Sequence, residues 1–204
     1  MEKRDKEKYA VVIGGANLDI TGFSIKPLIR QDSNPGEIKT SPGGVGRNIA
    51  ENMARLGMQT RLISAVGNDA FGRKILADSA EAGVDVSMVR TVDTFPTSVY
   101  LSILDADGEM DVAVSDMQIM ASLDINFLKK HHSTISRASA IVVDTNLEKE
   151  TLMYLAKAYP GRMFVDTVST SKAQKIADIT GAFYTIIANR QEAELLSDIA
   201  INTI

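Results

Sequence analysis

A glycine-rich segment at 41–57, SPGGVGRNIAENMARLG, opens directly into an amphipathic helix and contains residue types that can bind an oxygen-rich ligand. Gly43 and Gly44 have no side chain, so a ligand can come close to the backbone there. The N–H groups in the first turn of a helix lack intrahelical partners and can point at ligand oxygens. Asn48 lies in that turn and adds an amide with a donor and an acceptor. A tight turn without a ligand explains a lone segment of this kind equally well, so other parts of the chain must decide.

Asn17 and Asp19 follow an apolar run at 9–14 that is typical of a buried strand. In open α/β sheets, ligands bind beyond the carboxyl ends of the strands. A carboxylate can accept two hydroxyl hydrogen bonds at once, so we predict that Asn17 and Asp19 recognise hydroxyl groups. The alternative is a simple turn built by Asn and Asp. Asn146 and Asn189 also come just after predicted strands, and we expect them at the same edge of the sheet.

Apolar periodicity predicts alternating strands and helices along most of the chain. The strands are predicted at 9–14, 61–67, 140–144, 163–166 and 184–188, and the helices at 44–56, 70–82, near 123–131, near 148–158, from Ser171 and at 190–198. This alternation predicts an α/β fold with a doubly wound, mostly parallel sheet. Segments 20–42 and 97–115 lack this alternation of strands and helices and instead predict short strands. In segment 97–115, two strands flank an Asp-Gly turn. Together they predict a small β-sheet lid over a site.

Composition and charge exclude several classes of site. The sequence has no cysteine, so disulfides and thiolate metal ligands are absent, and its two histidines, His131 and His132, lack the spacing of a zinc-protease pair. The net charge of −4 disfavours a nucleic-acid partner. No apolar run approaches the ~18 residues of a membrane span. Residues 1–8 are charged, so we expect a flexible tail rather than a signal peptide, which favours a cytoplasmic protein.

The segment GNDAFGRK at 67–74 has the glycine spacing of a phosphate-binding P-loop but not its chemistry. Arg73 and Lys74 stand where that motif requires a lysine followed by serine or threonine. We therefore reject a P-loop and interpret Asn68 and Asp69 as helix-capping residues.

Four motifs in this order, GGANLD, PGGVGRN, GNDAFG and NRQEAE, make the chain resemble the ribokinase-like carbohydrate kinases, the PfkB family. The resemblance implies that residues 9–204 form one ribokinase-like domain with the two lid segments, and that the protein is an ATP-dependent kinase. The residues implied to bind sugar hydroxyls are Asn17, Asp19, Gly43, Gly44 and Asn48. Those implied to approach the substrate are Asn34, Asp116 and Asn146. Asn189 and Glu192 are implied to organise ATP and Mg²⁺, with Glu192 acting on the metal through water.

Within the family, segment 32–57 and DTVS at 166–169 resemble members that act on pseudouridine, which implies phosphorylation of its 5′-hydroxyl. The family's Gly-Ala-Gly-Asp motif, whose aspartate is the catalytic base, does not occur in this sequence, and the nearest stretch is TGAFY at 180–184. We therefore expect the chain to correspond to the N-terminal two-thirds of a kinase and to be inactive alone. Another sugar or nucleoside kinase and a non-catalytic binding module stay open as alternatives. A homodimer through the lid is also expected, because exposed β-edges need covering.

Overall fold

Six parallel strands form the central sheet of the computed structural model, which describes residues 8–201. The remaining residues, 1–7 of the expected tail and 202–204, lie outside the described part. The strands are β1 (Tyr9–Ile13), β2 (Asn17–Ser24), β3 (Gly36–Gly43), β4 (Gln59–Ile63), β5 (Ala65–Gly67), β6 (Val84–Asp85), β7 (Arg90–Val92), β8 (Val99–Leu104), β9 (Met110–Asp116), β10 (Ala140–Asp144), β11 (Met163–Asp166) and β12 (Thr185–Ile187). The helices are α1 (Val45–Arg55), α2 (Ala70–Glu81), α3 (Ile125–Lys130), α4 (His132–Arg137), α5 (Lys149–Ala158), α6 (Thr170–Ala173) and α7 (Arg190–Ser197), with 3-10 turns at Gln118–Ser122 and Gln174–Ala182.

The strand order of the central sheet is β12-β11-β10-β1-β4-β6, and each neighbouring pair is parallel. The predicted doubly wound parallel sheet is therefore confirmed. From β1 the chain first adds β4 and β6 on one side and then adds β10, β11 and β12 on the other. The strand order thus reverses between β1 and β10, and such a switch point is where open α/β sheets form ligand crevices.

Helices on both faces bury the central sheet, which explains why β1 is an almost continuous apolar run. Val11 and Ile13 join the larger hydrophobic cluster with residues of α3, α4 and α5. Val12 points to the opposite face and packs with Ala50 of α1. The carboxyl edge of this sheet, called the rim below, is therefore anchored at its centre by the fully buried β1.

A separate four-stranded sheet, called the lid below, has the order β3-β2-β8-β9. The β2–β8 pair is parallel, whereas β2–β3 and β8–β9 are antiparallel. The predicted lid segments 20–42 and 97–115 both contribute to it. Only Gly14, Gly15 and Ala16 separate β1 from β2, so the chain passes directly from the rim into the lid.

The structure corrects several predicted elements. The single strand expected at 61–67 breaks at Ser64 into β4 and β5, and β5 pairs with β7 in a separate two-stranded sheet. The helix expected near 123–131 is followed directly by a second one, α4. Asp69 caps α2 as predicted, because its carboxylate accepts the Gly72 N–H at 2.8 Å. Asn68 does not cap the helix, since its side chain donates to Asp93 at 2.9 Å.

No helix within residues 8–201 is both long enough and apolar enough to span a membrane.

Candidate active site

A cleft of about 540 Å³ lies between the rim and the lid. Its lining residues are Asn17, Asp19, Gly44, Val45, Asn48, Tyr100, Ser115, Met117, Asn146, Val168, Ser169, Ser171 and Lys172. The structure therefore brings together five of the predicted substrate-binding residues, from elements that are far apart in sequence. Tyr100 and Ser115 reach the cleft from the lid, and Ser169, Ser171 and Lys172 reach it from the loop and helix that follow β11.

Asn17 and Asp19 lie on the first three residues of β2 rather than in a turn, so the turn interpretation is wrong. Residues 17 and 19 point to the same face of the strand, since side chains alternate along it. The Asn17 side chain donates to the Asp19 carboxylate at 2.6 Å. Burial raises the pKa of Asp19 above its usual range, and the Asn17 hydrogen bond and the charge of Arg47 partly oppose that rise.

Gly43 and Gly44 leave the space that this corner needs. Gly43 ends β3 opposite Asn17, and a Cβ atom there would lie 2.2 Å from the Asp19 carboxylate. Gly44 has φ of 95°, and its Cβ would lie 2.4 Å from the Gly15 carbonyl oxygen. Any other residue at either position would displace Asp19 or the backbone after β1. The two glycines therefore serve the packing of the protein itself, and of the two only Gly44 lines the cleft.

The first-turn N–H groups of α1 are mostly occupied by the protein, contrary to the sequence prediction. The Gly46 N–H donates to Asp144 at 2.7 Å, and the Arg47 N–H donates to the Gly15 carbonyl at 3.0 Å. The Asn48 N–H donates to the Gly44 carbonyl at 2.8 Å. A ligand in the cleft therefore meets the side chain of Asn48 rather than a row of unpaired backbone donors.

A buried arginine orients Asn48. The Arg47 guanidinium donates to the Asn48 side-chain oxygen at 3.0 Å and to the Pro42 carbonyl at 3.3 Å, and it forms a close ion pair with Glu51. Because this hydrogen bond uses the Asn48 oxygen, the amide nitrogen of Asn48 is its donor toward the cleft. The sequence reasoning missed Arg47, although its place beside Asn48 in the first turn was visible.

Asn146 and Lys172 form the opposite wall of the cleft. The Lys172 ammonium donates to the Asn146 side-chain oxygen at 2.6 Å. Burial lowers the pKa of Lys172, the charge of Asp144 opposes this change, and Lys175 adds to it. The sequence reasoning missed Lys172, and the available signal was its place in the short helix that follows a rim strand.

Asn34 and Asp116 do not line the cleft. Asn34 folds the lid loop, because its side chain accepts from the Ile29 N–H at 2.8 Å and donates to the carbonyls of Ile29 and Asp32. It lies instead at a smaller lid cavity of about 340 Å³. Asp116 ends β9 and accepts from the Gln118 N–H at 3.2 Å, while its chain neighbours Ser115 and Met117 do line the cleft.

Asn189 and Glu192 form a capping box at the start of α7, outside the cleft lining. One Glu192 carboxylate oxygen accepts from the Thr167 hydroxyl at 2.5 Å and from the Asn189 N–H at 3.0 Å, and the other accepts from the Asn189 side chain at 2.8 Å. Burial, followed by the nearby Glu192 charge, raises the pKa of Asp166. Within residues 8–201 no group of three acidic or histidine side chains is arranged to hold a metal directly.

Comparisons with known proteins agree with this architecture. The model of the pfkB family carbohydrate kinases matches residues 7–204. The chain is 45% identical over 200 residues to the pseudouridine kinase of Escherichia coli strain K12, covering 98% of this chain and 64% of that protein. A carbohydrate kinase from Agrobacterium tumefaciens has a structure with a TM-score of 0.85 and 29% identity, over 94% of this chain and 64% of that one.

The structure of Arabidopsis thaliana ribokinase complexed with ribose and ATP shares the fold, with a TM-score of 0.79 and 20% identity over 96% of this chain and 64% of that one. The chain thus spans just under two thirds of the length of each of these relatives. The family match covers nearly all of the chain and agrees with the sheet order, the lid and the cleft between them. The chain belongs to the PfkB family of carbohydrate kinases.

Proposed function

We propose that this chain forms the substrate-binding part of an ATP-dependent kinase that phosphorylates the 5′-hydroxyl of pseudouridine. The observation that carries the proposal is the convergence of Asn17, Asp19, Asn48 and Asn146 on one cleft beneath the lid. The similarity to the Escherichia coli pseudouridine kinase supports the choice of substrate.

The sugar-binding corner suits the hydroxyls of a ribose ring. The Asp19 carboxylate can accept hydrogen bonds from two neighbouring hydroxyl groups, and the Asn48 amide nitrogen can donate to a hydroxyl oxygen. Gly43 lies against Asp19 and Gly44 lines the cleft, so the ring would lie beside the backbone of Gly44 at this corner. Hydrogen bonds to a charged group contribute about 1.5–3 kcal/mol each. Asp19 is therefore the residue on which we expect sugar affinity to depend most.

The base would lie toward the wall formed by Ser115, Ser169, Ser171 and Lys172. Pseudouridine differs from uridine in its carbon–carbon glycosidic bond, which leaves an additional N–H donor on the ring. Hydroxyl groups can accept from such a donor, and the Lys172 ammonium can donate to a ring carbonyl. These groups are absent from the sugar-binding corner, so base selectivity and sugar binding are expected to respond to different substitutions.

Asn189 and Glu192 are proposed to organise the ATP phosphates and Mg²⁺, with Glu192 acting through water. When bound, Mg²⁺ would neutralise charge on the transferred phosphoryl group. The buried Glu192 holds both the backbone and the side chain of Asn189 by hydrogen bonds, so its role in this chain is to fix Asn189 at the rim. The sequence contains no Gly-Ala-Gly-Asp motif, so we propose that the 204-residue chain binds substrate without transferring phosphate.

Phosphorylation assays test the assignment. The full-length protein is expected to phosphorylate pseudouridine faster than uridine or ribose at equal concentration, whereas the 204-residue chain is expected to give no product. Equal or faster turnover of ribose would contradict the pseudouridine assignment and favour another sugar kinase of the family. Binding of nucleoside without transfer by the full-length protein would favour a non-catalytic binding module. As the site of action we propose the cytoplasm, where an ATP-dependent kinase of small molecules finds ATP, and we propose no nucleic-acid partner.

We also propose a homodimer formed through the lid. Cross-strand register places apolar side chains together on the lid face opposite Asp19, and these are Ile20, Ile38, Leu101, Ile103, Val112 and Val114. Ile38 is 76% exposed and Val114 is 62% exposed, so this apolar face is uncovered in the single chain. Such a patch marks an interaction surface, and a second copy would cover both the face and the lid edges.

Light scattering tests the dimer. Full-length protein is expected to show a dimeric mass, and Val114→Lys is expected to shift it to the monomer. The control Leu56→Lys, at an 87% exposed position at the end of α1, should leave the mass unchanged. A monomeric mass for the unmodified full-length protein would contradict the proposal.

A further inference from the structure

A fully buried carboxylate lies at the switch point between β1 and β10. Asp144 is the last residue of β10 and has no solvent exposure. One of its oxygens accepts from the Gly15 N–H at 2.8 Å and from the Gly46 N–H at 2.7 Å. The other accepts from the Asn146 N–H at 2.9 Å. Three backbone segments therefore meet at one side chain, and Gly15 lies 129 residues from Asp144 in sequence.

The surroundings of Asp144 explain how a buried carboxylate is accommodated. Burial raises its pKa, and the hydrogen bonds from Gly15, Asn146 and Gly46 oppose that change. Gly46 belongs to the first turn of α1, where the helix dipole also favours an anion. An unpaired buried charge would be far more costly, so the three N–H donors are what allow a carboxylate at this depth.

Two glycines make the space that the carboxylate occupies. A Cβ atom on Gly14 would lie 2.4 Å from an Asp144 oxygen. A Cβ on Gly46 would lie 2.8 Å from Gly14 and 3.1 Å from Asp144. These glycines lie next to the substrate cleft, but the atoms that approach them belong to Asp144. The absence of side chains at 14 and 46 therefore serves a protein carboxylate and not a ligand.

Each of the three donors is close in sequence to a cleft residue. Gly15 lies two residues before Asn17, Gly46 lies two residues before Asn48, and Asn146 lines the cleft itself. We propose that Asp144 is a positioning residue, whose carboxylate fixes these three segments relative to one another and so sets the geometry of the substrate cleft. This inference rests on the proposed function, because it names what holds the nucleoside-binding groups in place.

Asp144→Asn in the full-length protein tests the proposal. The asparagine side chain keeps the shape but has one oxygen, so its NH₂ group must face at least one backbone N–H. We expect pseudouridine to bind at least tenfold more weakly by titration calorimetry. A dissociation constant within twofold of the unmodified value would overturn the proposal.

Controls separate positioning from general destabilisation. Ile135→Ala removes a fully buried side chain in α4, and Thr151→Val removes a buried hydroxyl that donates to the Leu123 carbonyl at 3.3 Å; neither residue lines the cleft. Measured below their melting temperatures, both controls should bind pseudouridine within twofold of the unmodified protein. If Ile135→Ala weakens binding as much as Asp144→Asn, the effect is one of stability and the proposal fails.

A second variant covers the case in which Asp144→Asn does not fold. Gly46→Ala keeps Asp144 but places a methyl group against it and Gly14, so we expect at least fivefold weaker pseudouridine binding. Gly181→Ala is the matched control, because no atom lies within 4 Å of the Cβ it adds. Equal binding by both glycine variants would overturn the proposal.

Hydrogen exchange of the unmodified protein distinguishes this proposal from the proposed function. The amide protons of Gly15 and Gly46 should be strongly protected, whereas that of Val45, the first residue of α1, should exchange faster. If no nucleoside binds but this protection is present, the proposed function fails and the Asp144 contacts stand. If nucleoside binds and Gly15 and Gly46 exchange as fast as Val45, the positioning proposal alone fails.

Discussion

The central sheet and the lid differ most in how deeply their strands are buried. Every residue of β1 is buried, and hydrophobic clusters cover both of its faces. In β9 no residue is buried, and in β3 only Gly43 is. Strands with few buried side chains open locally at a lower free energy than core strands. The cleft therefore has one wall on a rigid support and one wall on a sheet that can move more easily.

The residues proposed to bind the sugar lie where these two regions meet. Asn17 and Leu18, the first two residues of β2, are buried, and the later residues of that strand are only partly buried. Asp19 is thus held at the base of the lid, close to the rim. Tyr100 and Ser115 extend from lid strands with little buried surface. We infer that sugar recognition belongs to the fixed part of the cleft, and that among the groups proposed to face the base only Ser115 lies on the more mobile lid.

The largest expected difference in stability is between one substitution in the central sheet and one in the lid. Ile141→Ala in β10 removes a fully buried side chain and should lower the free energy of unfolding by about 2–5 kcal/mol. Ile38→Ala in the lid changes a residue that is 76% exposed and should cost less than about 0.5 kcal/mol in the monomer. Urea unfolding at low protein concentration measures both. Equal losses would show that burial does not distinguish the two sheets.

Sugar binding should depend strongly on the base of the lid. Asp19→Ala removes a charged acceptor, and we expect pseudouridine to bind at least about tenfold more weakly, because each hydrogen bond lost contributes about 1.5–3 kcal/mol. Thr21→Val is the control, because Thr21 lies one position further along the same lid face and bonds to Ser102. Titration calorimetry should show unchanged affinity for the control. Equal losses in both variants would mean that the whole lid face, and not its base, determines sugar binding.

The same corner predicts a pH dependence of binding. Ionised Asp19 accepts hydroxyl hydrogen bonds, and burial raises its pKa above the usual value of 3.8. Affinity for pseudouridine should therefore fall as the pH is lowered through this raised pKa, at a higher pH than for an exposed aspartate. In Asp19→Ala this acid transition should be lost. A transition that persists in the variant would assign it to another group.

Asp69 connects α2 to the segment that enters the lid. Its carboxylate accepts from the Gly72 N–H and from both the N–H and the hydroxyl of Thr97. Asp69→Ala should lower the free energy of unfolding by about 1–2 kcal/mol, as loss of a helix cap does. Although burial acts to raise the pKa of Asp69, these hydrogen bonds lower it.

The direction of the Asp69 pKa shift determines how the contribution of Asp69 to stability depends on pH. Because the folded pKa lies below the unfolded value of 3.8, the contribution of Asp69 is present above pH 4 and is lost as the pH falls through the folded pKa. Unfolding curves at pH 7 and pH 3 should therefore differ between Asp69→Ala and the unmodified protein mainly at pH 7. An undiminished difference at pH 3 would contradict this role.

The smallest predicted changes in stability come from relieving backbone strain at one residue in each of the two regions. Val168 lines the cleft on the rim side with φ of 60°, and Gln31 in the lid loop has φ of 62°. A β-branched residue is strained in this region, so Val168→Gly should stabilise the fold by about 1 kcal/mol after the roughly 0.5–1 kcal/mol entropic cost of glycine. Gln31→Gly should stabilise the fold by a smaller amount. A larger gain at Gln31 would place the greater strain in the lid.

The sequence predicts the central sheet well because its strands are buried on both faces and read as continuous apolar runs. It does not show that RLISAVG divides at Ser64, because that break depends on the buried Ser64 hydroxyl donating to the Gly14 carbonyl, 50 residues away. It likewise places Asn17 and Asp19 at the correct edge but does not show that they begin strand β2. Three residues suffice to turn from β1 into β2, and no local pattern marks so short a connection.

The candidate site was predicted through residue type, and its errors come from hydrogen bonds that residue type does not reveal, some between distant segments and some within one loop. The first turn of α1 was expected to offer its N–H groups to a ligand, but Asp144 and the Gly15 carbonyl occupy two of them. Asn34 carries a polar amide like the cleft residues, yet its hydrogen bonds close its own loop. Which polar groups face a cleft depends on pairing that periodicity does not encode.

A crystal structure of the full-length protein with pseudouridine tests the central claim most directly. The account predicts that the ribose lies between Asp19 and the Gly43–Asn48 corner, with two of its hydroxyl groups within hydrogen-bond distance of the Asp19 carboxylate. A nucleoside bound at another site, or in this cleft with its ribose away from Asp19, would contradict the account.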